Sequence, residues 1–377
     1  MEKSFCSKLV FEQTVCAGEK KGGGGGRIKY IDVAKFLSVL FVLIDHIQYS
    51  CPVSNCFMIS RVIWISFFMQ IFFISTGITS KYHSASSLKD ITVFLEKKVK
   101  ALLIPYIVWC FFLNMSGNHD VFFVKIILGR MEDLDSVGVN SVLWFLPVLF
   151  MANVIAYLIM TLICRVKDKL DININFYYII AIVLLMIIDR KANDFLGDYL
   201  FFGLRSAFCG AALIIFGVCI RELLHYIYIN FSILKKWNLS VGLFIVGIPL
   251  AYYNMPVLNN NDNISYGYAV WMARGLIGRN VIGFWSVSIC LSMAVLVFSM
   301  CLEKISIISY WGERSLLFMM LHIYTHSIVA RYIMPWMNQY IIVGGGNAPV
   351  TLILSFLLIV TLIPLIDRYM PFLYKSI

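Results

Sequence analysis

The stretch IDVAKFLSVLFVLIDH, residues 31–46, decides how the rest of the chain is read. It has the apolar character of a membrane span, yet it carries Asp32, Lys35, Asp45 and His46. A charge at the bilayer centre costs about 2.5–3.5 kcal/mol on insertion scales, so ionisable groups in a span turn toward the protein interior or a watery cavity. Helical geometry sorts the four. Lys35 and His46 are separated by about 1100° of rotation and so share a face, roughly 16 Å apart along the axis. Asp32 lies one turn before Lys35, within pairing reach of it. Asp45 points about 100° away from His46 and is the weaker candidate for orienting it.

Composition extends this reading to the whole chain. Of 377 residues, 60% are hydrophobic and only 14% charged, against about 25% charged in a soluble domain. So little polar surface cannot cover a globule in water, and the expected class is an all-α polytopic membrane protein. The net charge of +10 does not indicate nucleic acid, because the basic residues sit in short clusters between apolar runs, where they set topology. The ten Cys are scattered, with Cys110, Cys164, Cys209, Cys219, Cys290 and Cys301 within or beside those runs, and they form neither a metal motif nor a disulfide framework. One local disulfide is open, between Cys51 and Cys56 in CPVSNC. Nothing in the sequence calls for a metal.

With about 20 apolar residues per crossing, roughly ten spans are expected. They lie near 31–49, 58–79, 101–115, 141–163, 174–189, 205–221, 238–254, 281–302, 315–336 and 348–366. The third and fifth are short and are expected to tilt or break. Residues 1–27, with five consecutive glycines, read as a flexible segment without a signal-peptide core, ahead of a membrane domain over 28–377. Most basic residues fall on one side if the N-terminus is cytoplasmic. Lys125, Arg130, Arg190, Lys191, Arg274 and Arg279 fall on the other. Both termini are therefore expected in the cytoplasm.

Five stretches, in order, resemble the acyltransferase-3 family of bacterial membrane O-acyltransferases. YIDVAKFLSVLFVLIDH has the family's Asp, basic residue and His of the first span. Lys35 stands where Arg is frequent, as in many fucose-acetylase-like members. FFMQIFFISTGITSKY resembles a Phe-rich run ending in Ser-Gly, with Thr76 inserted before Gly77. FLEKKVKALLIPYIVW resembles the basic stretch before a Pro-Tyr, with Lys97 and Lys98 at the basic pair. SVLWFLPVLF and YWGERSLLFMMLHIYTH match a Leu-Trp-Phe-Leu run and a late Gly-x-x-Ser-Leu run followed by His322. The resemblance covers about residues 28–366. With about ten residues after the last span, the chain resembles the membrane-only form, without the added esterase-like domain of one branch.

The resemblance implies transfer of an acyl group, usually acetyl, from cytoplasmic acyl-CoA to a hydroxyl of a cell-surface glycan or its lipid-linked precursor. It also implies residence in the cytoplasmic (inner) membrane. A sugar hydroxyl needs a general base near neutral pH, the range in which His titrates, and His46 is the choice for that base. Lys35 serves either to neutralise a pyrophosphate or developing oxyanion or to pair with Asp32. Lys97 and Lys98 suit CoA phosphates, or simply set topology. Arg205 and Trp144 are candidate acceptor contacts, with interfacial anchoring and belt packing as the ordinary alternatives. His322 is a further contact or second catalytic group, or else a satisfied bundle histidine. Glu313 and Ser315 are expected to cap the ninth span.

A different class also fits buried charge in ten spans, namely a secondary transporter or a flippase for a lipid-linked sugar. Against it, the two halves contain no matching pair of Gly/Pro-broken spans.

Overall fold

The computed structural model describes residues 27–80, 88–113, 141–167, 173–197, 200, 202–255, 270–272, 275–340 and 348–371. Apart from Arg27, the expected flexible segment lies outside the described residues, as do Lys125 and Arg130.

Among the described residues the chain is helical, except for one two-stranded ribbon. First come α1 (Lys29–His46), α2 (Asn55–Ile65), α3 (Phe68–Thr79) and α4 (Leu88–Lys98), which runs through a π turn into α5 (Ile104–Leu113). Next are α6 (Phe145–Lys167), α7 (Ile174–Leu196), α8 (Leu204–Asn230) and α9 (Ile233–Tyr253). Strands β1 (Val270–Trp271) and β2 (Leu276–Ile277) pair antiparallel, with Val270 opposite Ile277. Then follow α10 (Val281–Leu302), α11 (Ser306–Glu313), α12 (Ser315–Ile328), α13 (Met334–Tyr340) and α14 (Ala348–Tyr369).

Seven helical stretches are long and apolar enough to cross a membrane: Asn55–Thr79, Phe145–Val166, Leu204–Asn230, Ile233–Tyr253, Val281–Leu302, Ser315–Met337 and Ala348–Tyr369. The protein is an all-α, multi-pass membrane protein. The three other expected spans are helical too among the described residues, and the helices that contain or lead into them carry more charge. α1 holds Lys29, Asp32, Lys35 and Asp45; α4 contributes Lys97 and Lys98; α7 closes on Asp189, Arg190 and Lys191. The fifth expected span, near 174–189, does not break: it is part of α7, which runs for 23 residues.

Local chemistry accounts for the ends and the irregular turns. Ser54, Ser232 and Asn280 each accept a backbone N–H in the first turn of α2, α9 and α10, satisfying donors that a helix start leaves open. The π turns are at Val99–Leu103 and Val329–Ile333. In both cases a proline follows shortly, Pro105 and Pro335. Proline has no N–H for the carbonyl four residues back, so the chain widens by one residue per turn ahead of it.

α1 is the axis of the bundle, packed by α3, α10, α11 and α12. α8 packs on α3, α6 and α7, while α9 lies along α10 and α14 along α12. The α3–α8 crossing brings backbone onto backbone. A Cβ on Gly77 would strike the Ile214 carbonyl, and one on Gly217 the Ile74 carbonyl. Small residues permit such approach between membrane helices. Charge in α1 is thus carried inside protein and not in lipid.

Candidate active site

Three features fix α1 in its socket. Phe36 packs on Trp311 and Phe318, at ring-centroid distances of 5.2 and 5.8 Å, and Phe356 closes the cluster from α14. At its inner end α11 comes so close that a Cβ on Gly312 would overlap the Asp32 carbonyl. At its outer end the last turn tightens. The Ile47 N–H bonds to the Ile44 carbonyl, which leaves the Leu43 carbonyl to accept from His326 Nε2 at 3.0 Å.

The outer end of α1 holds a group of histidines. His46 Nδ1 donates to the Val42 carbonyl at 2.9 Å, and His322 Nδ1 to the Phe318 carbonyl at 3.2 Å. A carbonyl only accepts, so each Nδ1 carries a proton, and in the neutral ring the lone pair is on Nε2. The His46 and His322 rings are 4.8 Å apart, and those of His322 and His326 are 5.9 Å apart. His46 is half-buried, whereas His322 and His326 are fully buried. The neutral Nε2 of His46 is the arrangement a general base needs.

Asp45, next to His46 in sequence, belongs to a separate structure. Its carboxylate takes a fork from Arg61, at 2.7 and 2.8 Å, and a third bond from Trp64 Nε1 at 2.9 Å. Both charges are buried, and the charge is neutralised where it stands.

The inner end is the opposite case. The expected Asp32–Lys35 ion pair does not form. Asp32 instead takes Arg27 Nε at 2.6 Å and Arg27 Nη2 at 3.1 Å, because Arg27 enters from the chain ahead of the helix and offers a two-pronged guanidinium. Arg27 also reaches Glu313, at 3.3 Å, and beyond it Arg314 pairs with Asp367 at 2.7 Å. Among the described residues no carboxylate lies within ion-pair distance of Lys35. Its charged neighbours are Asp32 with its partner Arg27, and Lys98, which is half-buried at the end of α4 with its ammonium over the Phe94 ring. Burial, and after it the positive charge of Lys35, push Lys98 down to about 8. The two cations face each other, and the nearest carboxylate to Lys35, Asp32, is bonded to Arg27.

The other expected residues divide. Lys97 is exposed and does not share the inward position of Lys98. Trp144 ends a tight turn (Ser141–Trp144) that packs against α5 and α12, so its element adjoins the His322 helix. Arg205 starts α8 in another setting. Its carbonyl accepts from Asn193, and its guanidinium lies over Gly197 beyond α7. The same corner ties Ser206 to the Met272 carbonyl and Arg190 to the Gly275 carbonyl. Glu313 and Ser315 do not cap α12: Arg314 occupies the cap position and makes no side-chain cap bond, while Glu313 is drawn into ion pairs with Arg27 and Arg314. Cys51 and Cys56 are free thiols, Cys51 being turned inward to Thr351.

Sequence reasoning assigned no role to His326, Arg61 or Arg27. His326 is four residues after His322 and so lies on the same helical face, a signal present in the sequence. The other two act across helices. Among the described residues no group of three or more His, Cys, Asp or Glu is placed to hold a metal ion.

A polytopic helical bundle with a pair of lysines near the start of one buried helix and a group of histidines at its end is the class defined so far. The chain matches the acyltransferase domain model of the acyltransferase-3 family over residues 28–367 and belongs to that family. No curated protein and no solved structure matches it.

Proposed function

We propose that the protein is an O-acyltransferase, using acyl-CoA, acetyl-CoA foremost, to acylate a hydroxyl of a cell-surface glycan or its lipid-linked precursor. One observation carries this reading. A single buried helix bears, near its start, a lysine that makes no ion pair among the described residues and faces Lys98, and at its end an imidazole whose Nδ1 is bonded to a carbonyl. A thioester donor with phosphates and an acceptor hydroxyl need those two chemistries. In this reading both termini and the Lys35–Lys98 site face the cytoplasm, where acyl-CoA is made, and the membrane is the cytoplasmic one.

The donor phosphates settle on Lys98 and Lys35, with charge-assisted hydrogen bonds. The acceptor hydroxyl donates to His46 Nε2. As His46 takes the proton, the oxygen attacks the thioester carbonyl, the C–S bond breaks, and the CoA thiolate leaves and is protonated. Trp144, on the turn beside α12, offers a flat apolar face to the sugar. Arg205 contacts a more distant part of the acceptor from the α7–α8 corner. Lys97 contributes only long-range attraction.

The test is transfer of label from acyl-CoA to base-labile ester in membranes carrying the protein. His46→Gln is expected to reduce transfer by about 10²–10⁴-fold, the usual share of a general base, with the protein still inserted. Near-normal transfer by that variant would remove His46 from the role. Loss of glycan export on deletion, with acylation intact, would favour a flippase.

A further inference from the structure

His322 and His326 are buried without an obvious purpose. Each has one ring nitrogen bonded to a carbonyl and the other, Nε2 of His322 and Nδ1 of His326, buried with no partner among the described residues. A buried lone pair left open is costly, and native structures keep few of them. His326 has a packing reason, since its N–H takes the Leu43 carbonyl released by the tightened end of α1. His322 bonds only within its own helix, so packing does not account for it.

Its position relative to His46 does. Both rings turn Nδ1 back on their own helices, which leaves Nε2 of each ring as the nitrogen not bonded to a carbonyl. The ring centroids are 4.8 Å apart, and in their neutral forms neither Nε2 has a hydrogen to offer the other. One added proton supplies that hydrogen and gives an imidazolium–imidazole hydrogen bond. The pair is built to hold one proton.

We propose that His322 is a positioning residue of the reaction, receiving from His46 the proton taken off the acceptor hydroxyl and returning it for the leaving thiolate. This rests on the acyl-transfer reading above. The acceptor O–H bond breaks as His46 Nε2–H forms. That N–H then breaks as His322 Nε2–H forms. On return the proton passes through His46 to the CoA sulfur once the C–S bond has broken, and nothing is oxidised or reduced. His46 is half-buried and accessible, whereas His322 behind it is sealed, so the stored proton is kept from bulk water. The other titratable or charged groups facing the pair are His326, Tyr49, and Asp45 with Arg61 in their closed fork.

The test uses membrane vesicles with the full-length protein, radiolabelled acetyl-CoA, and the membrane's own lipid-linked sugars as acceptor. His322→Gln is expected to lower the maximal rate by about 100-fold with KM for acetyl-CoA unchanged. Its rate should also climb with pH between about 6 and 9, where the native protein levels off, because hydroxide must then remove the proton. His326→Gln, which keeps an N–H for the Leu43 carbonyl, should retain the native pH profile. Where His322→Gln does not fold, His322→Asn serves with the same outcomes expected, a normal KM for acetyl-CoA showing that either variant is folded. A His322→Gln protein with the native rate and profile overturns the relay. So does a variant whose rate falls equally at every pH. If native vesicles transfer no label at all, the acyl-transfer reading itself fails and the relay falls with it.

Discussion

Asp45 and Lys35 ride on the same buried helix and have opposite electrostatic fates. Asp45 is closed by an Arg61 fork and a Trp64 N–H. Lys35 makes no ion pair among the described residues, its nearest carboxylate, Asp32, being bonded to Arg27, and it faces a second cation, Lys98. The first arrangement is complete as it stands, and a ligand would only disturb it. The second, in the function proposed above, is completed by the donor's phosphates. A buried charge therefore marks structure or function according to whether its partner belongs to the chain.

The largest expected effect breaks the completed side. Arg61→Leu leaves the Asp45 carboxylate buried and alone, which should destabilise the protein by about 3–5 kcal/mol. Thermal unfolding in detergent measures it, and replacing Asp45 with Leu as well should recover most of the loss. On the open side, Lys35→Gln or Lys98→Gln should leave stability nearly unchanged and weaken acyl-CoA binding about 10-fold or more, as removal of a charged hydrogen bond does. Direct titration of vesicles with acyl-CoA reads this, and unaltered affinity would dismiss the donor site.

A smaller effect follows from pH. Lys98 binds phosphate only as the ammonium, and without ligand it loses its proton as pH rises through about 8. Acyl-CoA affinity should fall above that pH, with proton uptake on binding, and Lys98→Arg should hold affinity level to about pH 10. The smallest effect is at Lys97, exposed one residue away. Lys97→Gln should change affinity by less than about twofold at physiological salt. Equal losses at Lys97 and Lys98 would mean that surface charge, and not the inward site, attracts the donor.

Much of this was legible in residues 31–46. Rotation per residue alone put Lys35 and His46 on one face and turned Asp45 aside. The breaks in α4–α5 and α12–α13 follow from Pro105 and Pro335. Pairings between helices were not legible, because spacing along the chain says nothing of which helix becomes a neighbour. Arg61 reached Asp45 only through the turn that folds α2 back on α1. Asp32 was matched to Lys35 by proximity in sequence, while Arg27, in a stretch that reads as linker, had the better geometry. Residue counting likewise made Lys97 and Lys98 equivalent, and only the packed helix separates them.

The π turn at Val99–Leu103 gives that separation a mechanical basis. It sits between Lys98 and the body of α5, and its extra residue sets the rotational phase of everything before it. Closing that turn to ordinary α pitch with no residue removed would swing Lys98 by most of about 100° around the helix. Both lysines and every contacting atom would survive such a change, and their juxtaposition would still be gone. What holds this half of the site together is a phase angle, stored in the backbone and carried by no side chain.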